Sequence, residues 1–113
     1  MTNEVFITIN HLDDYAGLGS VRPGMTLRLK KDHNNCYDDE AIAVCSQSSA
    51  KYGYVANSVN SVCRGTHSAG YVYQMFEEET DCEVWFVSGE GFAIARIKEA
   101  GTIREENDLQ EGK

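Results

Sequence analysis

The sequence predicts a small, mainly β protein: a barrel of six short strands with one helical interruption. Three observations support this prediction. Apolar and polar residues alternate in several short stretches, as they do in strands with one buried face. Polar or glycine-containing turns separate these stretches, and a central segment changes to a helical period. Closing the sheet into a barrel would leave no strand edge exposed.

Four strands are predicted in the first half of the 113-residue chain. They are VFITIN (5–10), MTLRLKK (25–31), EAIAVCS (40–46) and KYGYVA (51–56). The first is rich in β-branched residues, and the second alternates between an apolar and a cationic face. The loop between them holds the only proline, Pro23, in a Pro-Gly turn. In the fourth strand, Gly53 indicates a bulge or a close approach of another backbone.

The second half begins with two segments of helical character. The first starts at a capping-type Asn57 or Ser58 and reaches Gly65, which predicts a short helix at about 57–64. The second is predicted at about 68–78, where apolar side chains recur at helical spacing and could cover one end of the barrel. The last two strands, CEVWFVS (82–88) and FAIARIK (92–98), are joined by a tight turn.

Residues 1–99 are therefore expected to form a single domain, followed by a polar, acidic tail at 100–113. The sequence has no apolar run of the ~20 residues that a membrane span needs, and no signal-peptide pattern. We expect a cytoplasmic protein without a membrane partner. No C-x-x-C pair is present, which favours reduced, mostly buried thiols over a structural zinc site. These thiols belong to Cys36, Cys45, Cys63 and Cys82.

The sequence contains no catalytic motif. It has no phosphate-binding Gly-Lys-Ser/Thr loop, no G-x-S-x-G elbow and no histidine pair at metal-binding spacing. The three histidines lie in predicted loops. The consecutive acids Asp38, Asp39 and Glu40 could not all face one metal ion from a strand, because successive side chains point to opposite sides. We therefore expect a protein that is not an enzyme and needs neither a metal nor another cofactor.

The charge is unevenly distributed. The chain carries a net charge of −8, which is atypical of nucleic-acid binders with a basic face. Residues 20–64 hold six basic and four acidic side chains, a net of +2, so the remainder carries −10. A mildly basic surface on an acidic body is compatible with this distribution.

The segment KKDHNNCYDDEAIAV (30–44) places two amides, a ring and several acids directly before a strand. A solvated turn would explain this composition. A small pocket would explain it equally well, with the ring stacking on a flat group and a carboxylate accepting a hydrogen bond from a hydroxyl.

This segment resembles the signature of the HIRAN domain family, in which Asn-Pro-Tyr-Asp leads into Ala-Ile-x-Val. The matching residues are Asn35, Tyr37, Asp38, Ala41, Ile42 and Val44, and Cys36 stands where proline is usual. The later stretch YGYVANSVNSV (52–62), with GTHSAGYVY after it, is similar to the corresponding part of stand-alone bacterial members. The resemblance extends over roughly 5–97.

The resemblance implies an OB-like or SH3-like six-stranded barrel with a pocket for the 3′ end of single-stranded DNA. It implies that Tyr37 stacks on the terminal base and that Asp38 accepts the 3′-hydroxyl hydrogen. The full predicted nucleic-acid-binding set is Tyr15, Lys31, Asn35, Tyr37, Asp38, Tyr54 and Phe92. Asp13 and Asp14 stand where the family uses a basic residue to hold phosphate, and Asn57 stands in place of a lysine. We therefore expect a reduced affinity for DNA.

Two functions follow as hypotheses. The first is a non-enzymatic module that binds single-stranded DNA with a free 3′ end, in DNA repair or genome processing. The alternative is an acidic protein-interaction or inhibitor module that mimics nucleic acid and occupies a basic cleft, for example on a DNA-processing protein.

Overall fold

The computed structural model describes residues 4–98 except positions 16, 18 and 59. In this part the chain forms six strands, one α-helix and one short 3-10 helix. The strands are β1 (Phe6–Asn10), β2 (Thr26–Lys31), β3 (Ile42–Cys45), β4 (Lys51–Val55), β5 (Glu79–Val87) and β6 (Ala93–Ile97). The α-helix, α1, spans Ala69–Tyr73, and the 3-10 helix spans Leu12–Asp14. The predicted tail at 100–113 lies outside the described residues.

The six strands form one closed barrel in the order β1-β4-β3-β2-β5-β6, with β6 returning to β1. All six pairings are antiparallel. Every strand therefore has two hydrogen-bonded neighbours, and the sheet has no open edge. The predicted six-stranded barrel is confirmed.

The barrel interior is filled by the apolar side chains that alternate along the strands. Ile7 and Ile9 of β1 and Leu27 and Leu29 of β2 are fully buried, and Arg28 between the last two is only half-buried. Val72 of α1 packs against the same core from outside the sheet. The period of two in the sequence thus sets which face of each strand is inside.

Gly53 lets β4 pass close to the end of β1. A Cβ atom at this position would lie 2.4 Å from the main-chain oxygen of Asn10, so no larger residue fits without a shift of the backbone. The close approach predicted for this glycine is therefore confirmed. The neighbouring pairing of β3 with β4 also shifts register between Val44 and Cys45.

A second irregularity changes the outer surface of β5. The pairing of β5 with β6 shifts register between Val84 and Phe86. As a result two consecutive side chains point outward, Trp85 at 51% and Phe86 at 53% exposure. The Trp85 ring meets Phe6 edge-on at a centroid distance of 4.9 Å and lies under the Arg96 guanidinium.

The helix predicted at 57–64 is wrong: the described residues of this stretch form turns. Polar side chains take the main-chain hydrogen bonds that a helix would need. The Ser58 hydroxyl accepts the N–H of Asn60, and the Thr8 hydroxyl of β1 accepts the N–H of Cys63. Serine and threonine compete with a helical ladder in this way.

The second predicted helix forms, but α1 ends at Tyr73 rather than near residue 78. Its Ser68 cap is present, with the hydroxyl accepting the N–H of Tyr71. Residues 74–78 form turns and bends instead, and β5 begins at Glu79, where it pairs with β2. The ion pair between Arg28 and Glu79 accompanies this longer β5.

All four cysteines are free thiols. Cys45 and Cys82 are buried, Cys63 is half-buried and Cys36 is exposed. Burial raises the pKa of Cys82 to about 12, so this side chain remains a neutral thiol in the core. Within residues 4–98 as described, no three histidine, cysteine or acidic side chains converge on a possible metal site. The same part of the chain contains no helix with the length and apolarity to cross a membrane.

Candidate functional site

The turn before β3 is built around the side chain of Asn35. Its Oδ1 accepts the main-chain N–H groups of Tyr37 at 2.8 Å and of Asp38 at 3.1 Å. This Asx-type turn fixes the backbone locally without help from the rest of the barrel. It leaves the Tyr37 ring 95% exposed, pointing away from the core.

The carboxylate of Asp38 is held in place by two partners. Its Oδ1 accepts the N–H of Glu40 at 2.9 Å, and the Asn57 side-chain amide donates to both Oδ1, at 3.3 Å, and Oδ2, at 3.1 Å. Asn57 is itself oriented because its Oδ1 accepts the N–H of Gly70 at 2.8 Å. Since each carboxylate oxygen can accept two hydrogen bonds, Oδ2 keeps capacity for one more donor.

Tyr54 of β4 forms a second wall and is anchored at its hydroxyl. The hydroxyl donates to Asp32 Oδ2 at 2.5 Å and accepts from Lys51 Nζ at 2.7 Å. Lys51 also lies over the rings of Tyr54, at 4.7 Å, and Tyr15, at 5.3 Å. The two tyrosine rings are tilted with centroids 6.0 Å apart.

This polar chain shifts the ionisation of its members. The hydrogen bond from Tyr54 holds the pKa of Asp32 below its ordinary value, and the same hydroxyl raises the pKa of Lys51. Burial, followed by the bond to Asp32, raises the pKa of Tyr54 itself. All three causes favour a carboxylate, a neutral phenol and an ammonium group at neutral pH.

Tyr54 and the turn before β3 line one cavity of about 420 Å³, called the Tyr37 cavity below. It brings together five residues of the predicted set: Tyr15, Asn35, Tyr37, Asp38 and Tyr54. His11 and Asp14, which contact each other at 2.9 Å, and Asn57 line it as well. Among the described residues, none of those lining this cavity is a lysine or an arginine.

The other two predicted residues lie elsewhere. Phe92 lines a neighbouring cavity of about 370 Å³, the Phe92 cavity, which shares Asn10, His11 and Ser61 with the Tyr37 cavity. Lys31 does not line either cavity. Its ammonium group is instead 4.2 Å from the centre of the Tyr73 ring and 5.1 Å from that of Phe76.

Three further residues of the site were not predicted as binding residues. Asn57 holds Asp38, Lys51 holds Tyr54, and His11 contributes to the wall. For Asn57 and His11 the available signal was a polar side chain directly after a predicted strand. Lys51 gives no comparable signal, because a lysine at the start of a strand is common on solvated surfaces.

Comparison with known proteins gives a consistent result. A family model described as the HIRAN domain matches residues 4–74. The crystal structure of the HIRAN domain of human HLTF is 17% identical with a TM-score of 0.58, covering 84% of this chain and 74% of that one. The crystal structure of a structural-genomics target protein from Lactobacillus plantarum is 21% identical with a TM-score of 0.53, covering 85% and 97% respectively. At these identities the two structures establish the shared fold. No curated protein sequence matches the chain.

Proposed function

Because the chain belongs to the HIRAN domain family, we propose that it is a non-enzymatic module that binds nucleic acid, with the free 3′ end of single-stranded DNA as its ligand. The same proposal assigns it to DNA repair or genome processing in the cytoplasm. The family resemblance supplies the class of ligand. The geometry of the Tyr37 cavity supplies the argument for the end of a strand.

The observation that carries the proposal is the position of Tyr37 beside Asp38 in one cavity. An aromatic ring that is 95% exposed contributes little to packing, and its open faces are free to stack on a base. Stacking of this kind contributes on the order of 1–3 kcal/mol per base and tolerates any base. A cavity of about 420 Å³ also falls within the ~300–1,000 Å³ of ordinary ligand pockets.

Asp38 supports selectivity for a strand that ends. Its Oδ2 can accept a hydrogen bond from a 3′-hydroxyl, whereas a 3′-phosphate at the same place would bring two anions together. Because Asn57 fixes this carboxylate, it would not need to reorient when the ligand arrives. Asp38 thus favours a hydroxyl end over a phosphorylated or continuing strand.

Fluorescence anisotropy with oligonucleotides that differ only in a 3′-hydroxyl or a 3′-phosphate tests the proposal. We expect the wild type to prefer the hydroxyl end and Asp38→Asn to lose that preference. Tyr37→Ala should weaken binding to both oligonucleotides roughly five- to 150-fold, the equivalent of one lost base stack.

Tyr71→Ala is the matched control, since Tyr71 is 54% exposed and does not line the Tyr37 cavity. It should bind like the wild type. Equal, weak binding of both oligonucleotides by the wild type, or equal losses in Tyr37→Ala and Tyr71→Ala, would remove the 3′-end proposal.

The alternative function, an acidic module that mimics nucleic acid, has less support. Several acids of β5 are neutralised on the barrel surface: Arg28 contacts Glu79 and Asp81, and Arg96 contacts Glu83. These pairs reduce the continuous negative surface that mimicry requires. Recovery of a DNA-binding enzyme from a lysate, salt-sensitive and competed by DNA, would instead favour the alternative.

A further inference from the structure

A third cavity lies beside the cluster of Asp38 and Asn57. Its volume is about 400 Å³, and it is called the Arg64 cavity here. Asn57 lines both this cavity and the Tyr37 cavity, so the two are neighbours across one side chain. The Arg64 cavity is otherwise lined mainly by the turn after the Asn57 loop, including Arg64, Gly65, Thr66 and Ser68.

Arg64 carries an available positive charge. Its side chain is exposed and, among the described residues, forms neither an ion pair nor a hydrogen bond. The other three arginines within residues 4–98 are engaged. Arg22 donates to a main-chain oxygen, Arg28 pairs with Glu79 and Asp81, and Arg96 pairs with Glu83. Among the described arginines, Arg64 is thus the one that can bind an external anion without breaking a hydrogen bond or an ion pair.

The same cavity offers further hydrogen-bond donors. The main-chain N–H groups of Arg64 and Gly65 have no acceptor within the described part of the chain. The Ser68 hydroxyl accepts the N–H of Tyr71, which leaves its own hydrogen free to donate. A guanidinium fork accompanied by neutral donors is the arrangement that recognises a phosphate group.

The surroundings of the Tyr37 cavity decide where the phosphate of a bound strand would lie. The Phe92 cavity is lined by Asp13 and Glu90, which repel a phosphodiester. Lys51 is bonded to the Tyr54 hydroxyl and does not line the Tyr37 cavity. Of the three cavities, only the Arg64 cavity has an arginine or a lysine in its wall.

We propose that the Arg64 cavity binds the phosphodiester that links the last two nucleotides of a strand whose 3′ end occupies the Tyr37 cavity. The inference rests on the proposed function and gives the bound strand a direction, from the Tyr37 cavity past Asn57 toward Arg64. Arg64 thereby supplies the cation that the acidic early loop lacks.

The dependence of affinity on salt tests this assignment. One phosphate contact on a single strand contributes about 0.7 to the slope of log affinity against log salt concentration. Arg64→Gln should lower the magnitude of the slope by about 0.7 and weaken binding about eightfold at 50 mM salt, but only about threefold at 200 mM. Arg22→Gln, which removes the same charge from another exposed position, should retain the wild-type slope.

A chemically neutral linkage locates the contact on the ligand. With a methylphosphonate between the last two nucleotides, wild type and Arg64→Gln should bind equally. With the methylphosphonate several linkages away from the 3′ end, the full difference should remain. A difference that persists with the terminal methylphosphonate, or an equal loss of slope in Arg22→Gln, would overturn the assignment.

The outcomes also separate this inference from the proposed function. A wild type that prefers a 3′-hydroxyl end, combined with an unchanged slope in Arg64→Gln, would reject the Arg64 site and leave the Tyr37 cavity in place. A wild type without any preference for the hydroxyl end would reject the proposed function, and the inference with it. Thermal unfolding of Arg64→Gln should match the wild type, because the exposed side chain forms no hydrogen bond or ion pair with a described residue.

Discussion

At the residue scale, the ring of Tyr54 is positioned by charges at its hydroxyl as well as by packing. Asp32 accepts its hydrogen bond, and Lys51 donates to it from the other side. Asp32 directly follows β2, whereas Lys51 and Tyr54 both belong to β4. This arrangement orients a wall of the Tyr37 cavity before any ligand is present.

The free-energy cost of removing the Tyr54 hydroxyl should therefore depend on pH. The folded-state pKa of Asp32 is lowered, so the stabilisation is fully present above the ordinary aspartate value of about 3.9 and is lost as pH falls through the folded-state pKa. We expect Tyr54→Phe to cost about 1–2 kcal/mol at pH 7 and progressively less below about pH 4. Urea unfolding of both proteins between pH 7 and pH 3 measures this difference.

Tyr52→Phe provides the comparison for this measurement. Tyr52 packs against the core from the same strand, and its hydroxyl has no hydrogen-bond partner among the described residues. The effect of Tyr52→Phe on the free energy of unfolding should not vary with pH. A difference between Tyr54→Phe and wild type that stays constant down to pH 3 would contradict the role given to Asp32.

The sequence predicts the site best where the site is local. Asn35, Tyr37 and Asp38 lie in one turn whose hydrogen bonds span two or three residues, so the motif alone brings them together. Asn57 and Asp38 are 19 residues apart in the sequence, and their contact depends on the path of the chain after the end of β4. The sequence likewise did not indicate Arg64 as a binding residue. The argument for Arg64 is that its side chain has no hydrogen bond or ion pair among the described residues, and a sequence motif does not reveal this.

At the element scale, the hydrophobic pattern predicted all six strands, by alternation in strands with one buried face and by a short apolar run in β3, which is buried at every position. The same signal failed after β4, where the spacing was helical but the hydrogen-bonding side chains decided the conformation. Ser58 and Thr8 take main-chain N–H groups that a helix would have used internally. The short α1 forms where Ser68 supplies a cap and Val72 reaches the core.

The close approach of β4 to the end of β1 at Gly53 leads to a prediction at this scale. Gly53→Ala should destabilise the protein by about 1–3 kcal/mol, because the added methyl group would meet the main-chain oxygen of Asn10 and force the two strands apart. Gly89→Ala is its control, since a Cβ there meets nothing within 4 Å. Chemical denaturation should show a loss for the first substitution and a change within about 0.5 kcal/mol for the second. Equal effects of the two substitutions would contradict the close packing of β1 and β4.

At the scale of the whole molecule, barrel closure assembles the candidate site from distant parts of the chain. The loop after β1, the turn before β3 and the loop after β4 contribute to one cavity because β1 and β4 are neighbours in the sheet. Strand alternation does not reveal this order, since each predicted strand shows its buried face but not its partners. The family resemblance implied an OB-like barrel, and the structure supplies the order of its strands.

The register shift in the pairing of β5 with β6 has a spectroscopic consequence. Trp85 is the chain's only tryptophan, and it already meets water in the native barrel, on a surface that lines none of the three cavities. Its emission maximum should lie at long wavelength before denaturation and move little during it. Tryptophan intensity should also stay constant while an oligonucleotide binds, so that circular dichroism will report unfolding and tyrosine emission will report occupancy of the Tyr37 cavity.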